Sequence, residues 1–159
     1  EAFPIVSAVP TCVGLALGGE DFASSVGALR TPEGQELSLA RMQVVLAARA
    51  IGVFPIDTVY TEYKDEAGLV RDAKWARQLG FAGKLVIHPC QVEPVNRVFS
   101  PSPQEADEAR AVLMAFELAQ ERGEAVASLA GKMLDPAVVE QARSIVRLVD
   151  IISRSESVS

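Results

Sequence analysis

Residues 12–22 read CVGLALGGEDF, an apolar run that ends in two glycines and two acids. The part 12–17 has the continuous apolar character of a strand buried on both faces of a sheet. Two more such runs follow, VFPIDTVY at 53–60 and KLVI at 84–87. Between them lie segments with helical signals. Thr31 and Pro32 form a helix start, with Thr31 as N-cap and Pro32 at the first position. That helix is expected to run through Leu37, Ala40, Val44 and Ala48 to Gly52. Asp65 opens a second helix over 66–79, stopped by Gly80, and a third is expected over 91–99. Strand and helix thus alternate over residues 1–100, which predicts a parallel α/β sheet covered by helices on both faces.

Ser100-Pro101-Ser102-Pro103 marks a boundary. Beyond it the pattern is helical: one helix over 104–123, a loop over 124–136 and a last helix over 137–152. The polar tail 153–159, SRSESVS, is expected to be disordered. The division is therefore 1–100, 101–152 and 153–159.

The chain has 159 residues, 49% apolar and 23% charged, with a net charge of -6. Such a chain can bury a core, and its acidic balance argues against a nucleic-acid partner. No run of about 18 apolar residues occurs, so no membrane span is expected. The sequence starts at Glu1 with no recognisable targeting segment, as a processed chain or a piece of something longer would. Cys12 and Cys90 stand far apart, in no zinc-ligand spacing. They are expected to be free buried thiols in a reducing cytoplasm. With one histidine, His88, a His/Cys zinc site is not expected.

Ligands of parallel α/β folds bind at the carboxyl ends of strands, and three places qualify. At Gly18-Gly19-Glu20-Asp21, glycine amides can meet an anion and the acids can hold a hard cation such as Mg²⁺. The plain alternative is a helix N-terminus favoured by acids. Asp57 is a carboxylate inside an apolar strand, which calls for a polar network or an outward orientation. At Ile87-His88-Pro89, His88 is either a base or donor, or a structural residue of a fixed loop. Asp135, before Pro136, has the position of an N-cap and is a fourth candidate.

These segments carry a resemblance. Gly18-Gly19-Glu20-Asp21-Phe22 with Gly27, then Arg30-Thr31-Pro32-Glu33-Gly34, resemble the citrate lyase beta-subunit (CitE-like) branch of the HpcH/HpaI aldolase superfamily. So do Ala48-Arg49-Ala50, residues 55–60 (PIDTVY), residues 80–89 (GFAGKLVIHP) and residues 131–136 (GKMLDP). The resemblance implies a TIM (β/α)8 barrel, of which this chain holds about the last three βα units plus a C-terminal helical extension with a lid loop. It implies Mg²⁺-dependent cleavage or formation of a carbon–carbon bond. The substrates implied are citryl-, malyl- or citramalyl-type thioesters of coenzyme A or acyl carrier protein, with a keto acid such as oxaloacetate, glyoxylate or pyruvate. A homotrimer or hexamer in the cytoplasm is implied as well.

By the same resemblance Asp21 is the metal ligand, with Gly18, Gly19 and Glu20 at the keto-acid carboxylate. Ile87, His88 and Pro89 lie near the thioester cofactor, and Asp135 is the catalytic acid/base on the lid. Two parts of the family site have no counterpart here: a second metal-ligand glutamate and an arginine from an early strand. A non-catalytic assembly or binding module is therefore a rival reading. A flavodoxin-like or response-regulator-like module, with Asp57 accepting phosphate, is another.

Overall fold

The computed structural model describes residues 1–124 and 126–156. The chain divides into two compact units, Glu1–Phe99 and Ser100–Ser159. The boundary falls at the Ser-Pro repeat, where the composition changes.

The first unit holds a three-stranded parallel sheet of β1 (Gly14–Ala16), β2 (Phe54–Asp57) and β3 (Gly83–Lys84), in sequential order. Helix α1 (Ala2–Ser7) precedes β1, and α2 (Gly19–Val26) follows it directly. Helices α3 (Ser38–Ala50) and α4 (Glu66–Leu79) make the two crossovers, and α5 (Val92–Phe99) ends the unit. Register explains the burial. Leu15 lies opposite Pro55, and Asp57 opposite Lys84, so these residues share one sheet face. Leu15 and Leu17 pack there against Val44 and Val45 of α3 and Ala76 of α4.

Both crossover helices therefore lie on the same face. The opposite face carries Gly14, Ala16, Phe54, Ile56 and Gly83, and Phe54 is 63% exposed. The expected covering of both faces does not occur. A barrel segment explains this, because its helices sit outside and its inner face is buried only by further strands. A flavodoxin-like sheet would instead order its first strands 2-1-3, with the helices on both faces, whereas the order here is sequential.

Local signals hold in part. Asp65 caps α4 by accepting from the Gly68 N–H at 2.9 Å, and Gly80 ends it at φ 102, a left-handed conformation that favours glycine. The expected helix start at Thr31 does not form. The Thr31 hydroxyl accepts the Gly34 N–H at 3.2 Å and donates to Glu36 at 2.8 Å. Gly34 adopts φ 64, which closes a turn, and α3 begins only at Ser38 after a 3₁₀ turn at Gln35–Leu37. The second and third strands are shorter than their apolar runs, because ladder pairing with a neighbour ends at Asp57 and Lys84. Residues 89–91 form a 3₁₀ turn before α5.

In the second unit, α6 (Pro103–Glu121) starts with a capping box between Ser102 and Glu105. The expected loop over 124–136 contains a two-stranded antiparallel hairpin, β4 (Ser128–Leu129) with β5 (Lys132–Met133). Helix α7 (Pro136–Glu156) runs beyond the expected end at 152, so residues 153–156 of the expected tail are helical. Residues 157–159 lie outside the described residues. Ala119, Ala127, Leu134 and Val139 form this unit's core. No helix among the described residues is long and apolar enough to cross a membrane.

Gly68 makes a close approach. A Cβ there would lie 2.1 Å from both the Tyr60 hydroxyl and Asp65 Oδ2. Gly68→Ala is expected to lower stability by about 1–3 kcal/mol, and adding Tyr60→Phe to restore part of it. Urea denaturation of the single and double variants checks both.

Candidate functional site

The strand ends are held by a buried cluster of charges. Asp57, fully buried at the end of β2, takes Arg41 Nε at 2.8 Å and Nη2 at 2.9 Å, and Lys84 Nζ at 2.7 Å. Arg41 Nη2 also reaches Asp72 Oδ1 of α4 at 2.8 Å, and Lys84 pairs with Asp72 as well. Two cations and two carboxylates thus neutralise each other where water is excluded, the condition under which buried charges are tolerated. The Arg41 guanidinium also lies over the Trp75 ring, 4.7 Å from its centroid. Burial alone would lower the Arg41 pKa, but Asp57 and then Asp72 outweigh it and hold it above its ordinary value.

The cluster continues to the first strand end through Thr58. Lys84 Nζ donates to the Thr58 carbonyl at 2.7 Å, and the Thr58 hydroxyl accepts the Gly19 N–H at 3.0 Å. A Cβ at Gly19 would lie 2.7 Å from that hydroxyl oxygen, so glycine is required by packing. The Gly19 amide is therefore committed within the fold and does not face an anion, contrary to the sequence expectation. By their place in the first helical turn, the amides of Glu20 and Asp21 have no acceptor within α2.

Asp21 is exposed, and its carboxylate makes no hydrogen bond or ion pair with any described residue. Glu20 is also exposed, but Arg30 Nε holds it at 2.8 Å. Arg30 binds Glu36 too, and Glu36 accepts from the Thr31 N–H at 3.1 Å. Burial pushes the Glu36 carboxyl up, but backbone N–H groups, the Thr31 hydroxyl and Arg30 outweigh this and hold it at about 2. Arg30 and Thr31 line a cleft of about 220 Å³ together with Tyr60, Glu62 and Asp72. Among the described residues, no three His, Cys, Asp or Glu side chains gather as a metal site.

Ile87, His88 and Pro89 are exposed. His88 caps the 3₁₀ turn, its Nδ1 accepting the Cys90 N–H at 3.2 Å, and its ring stacks on Tyr63 with centroids 4.8 Å apart. Gln91 is buried and ties this turn to the Tyr60 carbonyl at 2.8 Å. Cys90 is exposed and Cys12 half-buried, so the expectation of two buried thiols is not met. In the second unit Asp135 is exposed and accepts the Val138 N–H at 2.9 Å, the N-cap geometry its position implies. That bond uses Oδ1 and leaves Oδ2 without a partner among the described residues.

Sequence reasoning singled out Asp57 but missed Arg41, Asp72, Lys84 and Thr58. A signal existed: Arg41 falls on the apolar Ala40, Val44 and Ala48 side of its helix, and Lys84 begins an apolar run. Both carboxylate oxygens of Asp57 are occupied and the residue is fully buried, so it has no place for a phosphoryl group.

Three parallel strands in sequential order, with both crossovers on one face, make an α/β unit consistent with part of a barrel, with polar loops at the strand ends. Residues 1–89 match the HpcH/HpaI aldolase/citrate lyase family, and the chain belongs to that family. It is 40% identical over 150 residues to citrate lyase subunit beta of Leuconostoc mesenteroides subsp. cremoris, covering 94% of this chain and 50% of that protein. It is 39% identical over 135 residues to mitochondrial citramalyl-CoA lyase of Mus musculus, covering 85% and 40%. A crystal structure of CitE from Mycobacterium tuberculosis, in complex with magnesium, acetoacetate and coenzyme A, superposes with a TM-score of 0.73. It is 31% identical and covers 92% of this chain and 55% of that one. The chain spans about half the length of the curated relatives it matches.

Asp57→Asn leaves Arg41 and Lys84 to share the single carboxylate of Asp72, one buried positive charge in excess, and is expected to cost about 3–5 kcal/mol, measured by chemical denaturation. Glu36 has a depressed pKa, so its stabilisation is complete above the ordinary value of 4.5 and is lost as pH falls toward about 2. The stability difference between wild type and Glu36→Gln is therefore expected to be full at neutral pH and to shrink through that window.

Proposed function

We propose that this chain is the C-terminal half of a Mg²⁺-dependent carbon–carbon lyase. The whole protein cleaves or forms a short acyl thioester, of citryl-, malyl- or citramalyl type, with a keto acid such as oxaloacetate, glyoxylate or pyruvate. The carrier is coenzyme A or an acyl carrier protein. Support comes from the relatives, which bear the names citrate lyase subunit beta and citramalyl-CoA lyase, and from the related structure that contains magnesium and coenzyme A. The observation that carries the reading is Asp21: an exposed, unpaired carboxylate one helical turn beyond a barrel-type strand end.

The donor set fits magnesium in a limited way. Mg²⁺ keeps several waters and is held by one or two carboxylates plus substrate oxygens. Asp21 supplies one carboxylate, and Glu20 could follow only by leaving Arg30, an exposed pair of small cost. A bound Mg²⁺ would act as a Lewis acid on the charge that develops at the keto-acid oxygens. The amides of Glu20 and Asp21 at the start of α2 receive the keto-acid carboxylate. Gly18, an exposed N-cap, lets that group approach the backbone. The exposed Ile87-His88-Pro89 turn meets the thioester carrier, with the His88 ring fixed by Tyr63. Asp135 holds or returns the proton at Oδ2 while Oδ1 caps α7. The whole protein closes the barrel, which covers inner-face apolar surface such as Phe54, works in the cytoplasm and assembles as a homotrimer or hexamer.

Assay of the full-length protein with citryl-, malyl- and citramalyl-CoA is expected to show Mg²⁺-dependent release of a keto acid. Asp21→Ala is expected to lower kcat/KM at least about a hundredfold. No turnover with any of the three, or turnover indifferent to both chelator and Asp21→Ala, would instead mark the protein as a binding or assembly module.

A further inference from the structure

Thr58 stands behind the strand end that carries Asp21, and the lyase reading gives it no part. It is fully buried, and its main chain and side chain are both fixed. Its carbonyl accepts Lys84 Nζ at 2.7 Å, and Lys84 in turn pairs with Asp57 and Asp72. Its hydroxyl accepts the Gly19 N–H at 3.0 Å, across 39 positions of chain. Gly19 is wedged at this point. An ideal Cβ there would lie 2.7 Å from Thr58 Oγ1, 3.0 Å from Thr58 Cγ2 and 2.9 Å from Cδ1 of Leu37, which is also fully buried. The first residue of α2 is thus held by one directional hydrogen bond between two packed side chains.

Asp21 follows two residues later, about 3 Å further along the helix axis. Its carboxylate makes no hydrogen bond or ion pair with any described residue, and it lies back over the helix start, with Oδ2 3.6 Å from an ideal Cβ at Gly18. No partner side chain steadies it. Where it points therefore depends on the backbone of the first turn, and that backbone is tied down at Gly19 by Thr58.

We propose that Thr58 is a positioning residue for the metal carboxylate: its hydroxyl, through the Gly19 N–H, sets the place of Asp21 and thereby the affinity for Mg²⁺. This role rests on the lyase reading, in which Asp21 is the metal ligand. Mg²⁺ demands near-ideal ligand geometry at short distances, so a small displacement of the carboxylate is felt. Removing a group that orients a metal ligand from behind typically weakens metal binding about 10–100-fold. A hydroxyl that only satisfied a buried amide would affect stability and leave the Mg²⁺ affinity of the folded protein alone.

The test titrates the folded full-length protein with Mg²⁺ by isothermal calorimetry, without turnover. Thr58→Val keeps the side-chain shape and removes the acceptor, and is expected to raise the Mg²⁺ Kd about tenfold or more. Thr58→Ser returns the hydroxyl and is expected to bind as wild type does. If Thr58→Val does not fold, Thr58→Ala takes its place, since it differs from Thr58→Ser by the oxygen alone. Equal Kd values for Thr58→Ser and the hydroxyl-free variant would overturn the proposal, whatever their stabilities. Asp21→Ala separates this role from the reading beneath it. Mg²⁺ binding lost in Asp21→Ala but kept in the hydroxyl-free variant overturns the role of Thr58 alone. No binding by wild type, or binding unchanged by Asp21→Ala, overturns the metal reading and this role with it.

Discussion

The cluster of Arg41, Asp57, Asp72 and Lys84 is the constraint on which the first unit depends. It joins the two crossover helices to the ends of the second and third strands, and through Thr58 it reaches the Gly18-Gly19 turn after the first. Its members balance in charge, so burial leaves no net uncompensated ion, and removal of any one leaves a charge in a dry place. The strands themselves are only two to four residues long. Ladder hydrogen bonds alone would hold such short elements weakly. The ion cluster and the leucine, valine and alanine packing beside it therefore set where the strand ends point.

This arrangement separates structural from chemical roles at the strand ends. Asp57 looks like a candidate catalytic acid in sequence, yet both its oxygens are spent on Arg41 and Lys84. Gly19 looks like an anion cradle, yet its amide is spent on Thr58. What remains outward is Asp21, the amides beside it, and the exposed His88 turn. Those are the parts to which the proposed function assigns the metal, the keto acid and the thioester carrier.

Legibility in the sequence followed the range of the interactions. The Asp65 cap, the Gly80 stop and the Ser102 box act over a few residues, and each is plain in the string. The three strands were legible as apolar runs, but not their lengths, which depend on how far a neighbour extends. The Thr31 signal misled because Glu36, five residues on, captured the side chain that would have capped a helix. The ion cluster joins residues separated by 16 and 27 positions, and only Asp57 announced itself. That helices cover one sheet face alone could not be read from the apolar runs, since a barrel interior is as apolar as the outer face. The position of Asp21 beyond the first strand was legible from residue types and from family resemblance together.

Native-state amide hydrogen exchange tests the central role of the buried cluster most directly. The account predicts that the Gly19 amide, bonded to Thr58, and the Leu85 amide, bonded to the Asp57 carbonyl at 3.0 Å, exchange as slowly as those in the middle of α3. Fast exchange at Gly19 and Leu85, with α3 still protected, would show that the strand ends open independently and that the cluster does not hold them.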